Sequence, residues 1–173
     1  MQKRTLVEQI LRGVERLANA GIYVSGNMMI GQITETVEDA DMSIKLAGEL
    51  VHLNKHIQLS STITTPFPGT EIYKYALDNL ILRDDRDFFD RFKNMGDISV
   101  NVSRMTDKEL LDRKKVLDVA LIKAKEDAVG RGALYVEHKI KQLADFDASS
   151  RSCVLKKAGR FYDSFYDFTQ HSL

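Results

Sequence analysis

A chain of 173 residues, 43% hydrophobic and 29% charged, reads as globular and long enough to bury one real core. Its 25 basic residues balance 25 acidic ones, so no overall field recruits nucleic acid or anionic lipid, and no apolar run approaches the length of a membrane span. A single cysteine, Cys153, excludes an intrachain disulfide and any metal or cluster site built only from this chain's cysteines.

The start, Met1-Gln2-Lys3-Arg4, enters a patterned helix rather than a signal-peptide core, and a cytoplasmic location is expected. Leu6, Ile10, Val14 and Leu17 recur at helical spacing, and Ala20-Gly21 supplies the stop. Ile22 to Ile30 then alternates as a strand, with Ile22, Val24, Met28 and Ile30 on one side and the more polar Tyr23, Ser25, Asn27 and Met29 on the other. A loop follows over residues 31–35. Thr36 with Asp39 resembles a capping box for a helix to about Leu50, whose stripe Val37, Ala40, Ile44, Ala47 and Val51 would pack on the sheet.

After Asn54-Lys55 a second strand runs from His56, with Ile57, Leu59, Ser61 and Ile63 on one face and Gln58, Ser60, Thr62 and Thr64 on the other. Amides and hydroxyls in alternation suit a strand that faces a wet, ligand-holding space; a half-exposed strand of an ordinary sheet would read the same way. Pro66 and Pro68, the two prolines of the chain, end that strand, Gly69 turns, and Thr70-Glu71 opens a helix to about Leu77. Helix, strand, helix, strand, helix is the order of a parallel α/β unit with crossovers.

The stretch Asp84 to Asp90 mixes acids with Arg83, Arg86, Phe88 and Phe89; without the Gly and terminal Glu of a calcium loop it reads as a solvated segment with an aromatic anchor. Ile98 to Val102 is expected as a short strand. Thr106 and Glu109 form a clear capping box for a long helix through Leu110, Leu111, Val116, Val119, Leu121 and Ile122, ended by Gly130 and Gly132. A helix over about residues 133–143, a polar stretch near Ser149, and an aromatic helical tail of Phe161, Tyr162, Phe165, Tyr166 and Phe168 complete the reading.

Two parallel strands, even with a third short one, leave edges whose backbone groups need partners. The expected partner is another segment or chain that covers the sheet edge, or a further copy of this chain.

Ala20-Gly21-Ile22-Tyr23-Val24-Ser25-Gly26-Asn27-Met28-Met29-Ile30-Gly31, the helix from Thr36, and Thr65-Pro66-Phe67-Pro68-Gly69-Thr70-Glu71-Ile72-Tyr73 together resemble the radical S-adenosylmethionine superfamily, in the branch often preceded by a cobalamin-binding domain. The likeness covers about residues 4–82. It implies an α/β fold, with residues 1–82 as the C-terminal βα units of a partial (β/α)6 barrel; the pattern of the residues beyond gives 83–145 as a mostly helical extension and 146–173 as a polar linker and aromatic tail. It also implies that Gly26 and Gly31 let a strand approach S-adenosylmethionine, that Met28 and Ile30 lie near adenine, and that Ser60, Thr62 and Thr64 border adenine or substrate.

Two features depart from the family. Gly31-Gln32-Ile33-Thr34-Glu35-Thr36 stands where the family loop reads Gly-x-Pro-Gly-Glu-Thr, and the CxxxCxxC motif that ligates the 4Fe–4S cluster is absent. The expectation is therefore a segment of a radical enzyme that contributes part of the cofactor and substrate wall and is inert alone, with cluster and cobalamin belonging to a complete protein. A non-enzymatic α/β scaffold using its open edge and aromatic tail is the alternative. His52 and His56 read as part of a polar turn rather than a metal pair, and His138, His171 and Cys153 as isolated; neither catalytic nor metal-ligating residues are expected in this chain.

Overall fold

The computed structural model describes residues 5–94, 96–130 and 140–142. The chain divides after Gly130. The unit before that point carries α1 (Val7–Asn19), β1 (Ser25–Ile30), α2 (Val37–Leu53), β2 (Gln58–Ile63), α3 (Glu71–Asp78), α4 (Asp85–Arg91) and α5 (Asp107–Val129). Residues 140–142 are helical. The aromatic tail, Cys153, His138 and His171 lie outside the described residues.

Local chemistry sets most element ends. Past the end of α1, Gly21 takes φ 68°, while the Ile22 N–H reaches the Leu17 carbonyl at 2.9 Å and the Gly21 N–H the Ala18 carbonyl at 3.0 Å. This paired closure satisfies carbonyls that a helix end leaves open, and it needs the left-handed backbone that glycine adopts freely. At the head of α2 the Thr36 Oγ1 accepts from the Asp39 N–H at 3.3 Å, and the Asp39 carboxylate accepts from the Thr36 N–H at 3.0 Å. Thr106 and Glu109 repeat the arrangement at the head of α5. Each such cap is worth about 1 kcal/mol.

The strands pair in parallel, from Ser25 against Gln58 to Ile30 against Ile63, with α2 as the crossover. Both strands start later than their alternation extends, at Ser25 and Gln58. Helices α2 and α5 pack against each other and cover the apolar face, and α1 packs on α2. There Ile30, Ile57, Ile63, Val51, Leu110 and Leu117 are almost wholly buried. Removing each such aliphatic side chain from water contributes about 1.5–3 kcal/mol. A second cluster of Tyr73, Ala76, Leu82, Phe88, Val100 and Val102 forms around α3 and α4. Ile33, from the loop after β1, packs on it, and the Phe67 ring meets Phe88 edge-on at 5.8 Å. The cluster therefore sits at the carboxyl ends of both strands.

The expectation of a partial (β/α)6 barrel is overturned: the described residues contain one sheet of two strands, β1 beside β2. Closing a barrel takes a ring of tilted strands, and the segment after β2 is spent on helices instead. The expected strand at Ile98 to Val102 is irregular, and its backbone is engaged elsewhere. The Val102 carbonyl accepts from the Thr34 N–H at 3.3 Å, and the Arg104 N–H donates to the Glu35 carbonyl at 2.9 Å, which ties the segment to the loop after β1.

The stretch expected to be solvated holds α4, capped by the Asp84 side chain on the Asp87 N–H at 2.8 Å. Its aromatic anchor is real, for Phe88 is fully buried, and Asp87 binds Arg83 and Arg91 at 3.1 and 2.8 Å. The Arg83 guanidinium is the main cause that holds the Asp87 carboxyl down to about 2, against its desolvation and with help from the Arg83 N–H and Arg91.

Candidate ligand-facing surface

The face of the sheet opposite α2 and α5 presents Tyr23, Ser25, Asn27 and Met29 from β1 and its approach, and Gln58, Ser60, Thr62 and Thr64 from β2 and its exit. Tyr23, Ser25, Asn27, Met29 and Ser60 are exposed to solvent. None of the eight carries a formal charge at neutral pH, and burial pushes the Tyr23 phenol further up, so it stays protonated.

Cross-strand hydrogen bonds fix these side chains. The Asn27 Nδ2 donates to Thr62 Oγ1 at 2.9 Å, and Ser60 Oγ donates to Asn27 Oδ1 at 3.1 Å. The Tyr23 hydroxyl donates to Gln58 Oε1 at the amino-terminal end of the sheet. At the carboxyl end Gln32 Nε2 donates to the buried Thr64 Oγ1 at 2.8 Å. The result is a polar track along the sheet whose rotamers are set by the partner strand, with Met29, 44% exposed, beside it.

The seven residues singled out from the sequence fall into two groups. Ser60, Thr62 and Thr64 lie on the polar track. Gly26, Met28 and Ile30 alternate onto the helix-covered face, where Ile30 is 1% exposed and Met28 packs against the core. A Cβ on Gly26 would come within 2.9 Å of Leu59 Cδ2, so this glycine makes room for a core side chain. Gly31 stands at the end of β1 with φ 86°, and a Cβ there would meet Leu110 Cδ2 at 3.1 Å. Both glycines therefore serve close packing within the unit.

The residue that sequence reasoning missed is Glu35. It is buried, and its Oε2 accepts the backbone N–H of Gly31 and, at 2.7 Å, that of Gln32. Burial raises its carboxyl above the usual range, opposed by those two N–H donors and reinforced by Asp39. The signal was present in the loop, whose glutamate follows Gly31 at the family's spacing. Thr34 takes the left-handed backbone with φ 62° at the position where the family carries glycine. The loop thus reaches that turn without the usual Pro-Gly, by forcing a β-branched residue into it.

His52 Nδ1 pairs with the Gly48 carbonyl at 2.8 Å at the end of α2. Among the described residues no cluster of His, Cys, Asp and Glu is arranged to hold a metal ion, and no helix is long and apolar enough to cross a membrane.

Fold and surface together define a βαβ module with one neutral, hydroxyl- and amide-lined face. The chain is 33% identical over 76 residues to an uncharacterized methyltransferase of Pyrococcus horikoshii. That match takes in 43% of this chain and spans only 16% of the methyltransferase. No family model matches the chain, and no solved structure does.

Proposed function

We propose that this chain is a segment of a radical S-adenosylmethionine enzyme of methyltransferase type, and that the polar track supplies part of the wall that holds S-adenosylmethionine and substrate. The observation that carries the reading is the row of cross-braced, uncharged side chains on the open sheet face, Asn27, Ser60, Thr62 and Thr64. Similarity to a methyltransferase supports it from an independent direction.

The donor set fits the nucleoside part of S-adenosylmethionine, because hydroxyls and amides both donate and accept and match neutral base and ribose groups. When bound, S-adenosylmethionine supplies a transferable methyl or 5′-deoxyadenosyl group. The side chains of this face bind and orient it, and their mutual hydrogen bonds reduce the ordering cost on binding. The 4Fe–4S cluster does not fit this chain, since one cysteine cannot provide three thiolates, and no chemical step is assigned to it here. In this reading the cluster, and cobalamin if the enzyme uses it, belong to a partner segment or chain that meets the unpaired sheet edges.

The test is a titration of the isotope-labelled chain with S-adenosylmethionine, followed by backbone amide resonances. Shifts centred on Asn27, Ser60, Thr62 and Thr64 are expected; saturable shifts elsewhere only, or none at millimolar ligand, overturn the reading. Anaerobic reconstitution with iron and sulfide is expected to give neither cluster absorbance nor 5′-deoxyadenosine.

A further inference from the structure

We propose that residues 31–35 form a pH-responsive clasp at the carboxyl end of the sheet, tightest in acid and looser at neutral pH, with ionisation of Glu35 as the trigger. The clasp rests on the geometry of the loop itself and stands whether or not the open face takes a ligand.

Two features oppose closure. Thr34 holds φ 62°, where a β-branched residue is strained, and an open loop relieves it. Glu35 brings a carboxyl group to 8% exposure, where its charge is poorly solvated. Against them stands a short set of ties. The Gly31 and Gln32 N–H groups donate to Glu35 Oε2, the Thr34 N–H to the Val102 carbonyl at 3.3 Å, and the Arg104 N–H to the Glu35 carbonyl at 2.9 Å. Gln32 Nε2, carried by the same loop, donates to Thr64 Oγ1 at 2.8 Å. A strained segment held by so few bonds opens locally at less cost than the unit unfolds, and opening releases Thr64.

The carboxyl group sets the direction of the response. Both N–H donors converge on Oε2, so a protonated Glu35 can carry its proton on Oε1 and still accept both. Acid therefore removes the charge and leaves the bonds. Asp39, in the first turn of α2, repels that charge, and its own carboxyl is held below the usual range by the Thr36 N–H and hydroxyl, so it stays ionised while Glu35 titrates. Arg104, on the segment that crosses the loop, acts on Asp39. From β2 and α5, Ile63 and Leu110 pack near Gly31 and bring no charge.

Burial first, and Asp39 after it, raise the closed-state carboxyl against the two N–H donors, whereas opening returns Glu35 to water and the ordinary value of 4.5. The closed loop then binds a proton more tightly than the open one. Closure is strongest below the ordinary value, weakens as pH rises through the higher value of the closed form, and levels off above it.

The experiment follows amide hydrogen exchange of the full chain by NMR from about pH 4 to about pH 7, corrected for the intrinsic rates, alongside the side-chain carboxyl carbon of Glu35. Protection of the Gly31, Gln32, Thr34 and Arg104 amides is expected to drop several-fold across that range, with the midpoint of the carboxyl titration and above 4.5. The Gln58 amide, in the ladder at the far end of the sheet, is expected to hold its protection. Glu35→Gln keeps a carbonyl acceptor without the charge, and its loop amides should retain the parent's acid protection at every pH. Thr34→Gly should raise protection throughout and leave the pH dependence in place.

Loop protection that is flat or rises with pH, a carboxyl midpoint at or below 4.5, or a Glu35→Gln chain that keeps the parent's pH dependence overturns the clasp. A drop shared equally by Gln58 does so too, because it reports loosening of the whole unit. If Glu35→Gln fails to fold, the coincidence of the two titrations in the parent decides.

Discussion

Replacing Thr34 by glycine is expected to stabilise the protein, although it removes a side chain. Thr34 holds φ 62°, a region where a β-carbon crowds the following carbonyl at a cost of about 1–2 kcal/mol. Its side chain is exposed, and the tertiary bond of this residue, from its N–H to the Val102 carbonyl at 3.3 Å, belongs to the backbone and survives substitution. Against the relief stands the extra freedom that glycine gives the unfolded chain, about 0.5–1 kcal/mol. The balance is a gain of about 0.5–1 kcal/mol, which for a unit of this size raises Tm by about 2–5 °C. Urea and thermal unfolding followed by far-UV circular dichroism measure it, with Thr34→Ala as the companion. Alanine keeps the β-carbon but loses the branch, so it should fall between threonine and glycine. A Thr34→Gly protein no more stable than the parent would refute the claim that this loop stores strain.

Leu80 offers the same test at a different place. It sits just past the end of α3 with φ 56°, 89% exposed, while the Ile81 N–H closes on the Ala76 carbonyl at 2.9 Å. Leu80→Gly should add about 0.5–1 kcal/mol, read in the same denaturation experiments, because the closure needs a left-handed backbone and buries none of the leucine. Asp87 should govern part of the acid limb of stability. Its carboxyl lies at about 2 in the folded protein against an ordinary 3.8, so its contribution is fully present above the ordinary value and is lost as pH falls from near 3.8 toward 2. Asp87→Asn should therefore lower Tm at pH 7 and lose that deficit relative to the parent as acid is added; a deficit independent of pH would show that the ion pairs with Arg83 and Arg91 are not its cause.

Sequence carried the helices and both strands wherever a local signal was complete. Thr36 with Asp39 and Thr106 with Glu109 announce two helix starts because the reciprocal bonds lie within four residues, and Gly21 announces a helix end because the left-handed turn needs it. Alternation in the two strands separated the polar from the apolar face. What it could not supply was the number of strands, since pairing depends on contacts remote in the chain. Ile98 to Val102 has strand-like residues, yet Val100 and Val102 are buried beside Phe88 and the backbone is engaged by the loop after β1. Short α4 escaped notice because seven residues give too little periodicity, although Asp84 three before Asp87 marked its cap.

The candidate surface was half legible. Alternation put Ser60, Thr62 and Thr64 on the polar face, and the resemblance tied them to the ligand. Gly26, Met28 and Ile30 were tied to the ligand by resemblance, and the structure sets them behind the sheet, where the same alternation had already put Met28 and Ile30 with the apolar residues. Glu35 was marked in the sequence by its spacing after Gly31, but its work in the loop showed only once its carboxylate was seen against the Gly31 and Gln32 N–H groups.

Clamping of the 31–35 loop has a practical corollary for anyone who wishes to re-engineer this chain. Its two backbone ties to Val102 and Arg104 lie immediately ahead of the Thr106 cap, so lengthening the loop would unseat the origin of the longest helix as well. Sequence diversification is better directed to the solvent-facing Asn79–Leu80 corner, whose own backbone N–H groups close on α3 rather than on a distant segment.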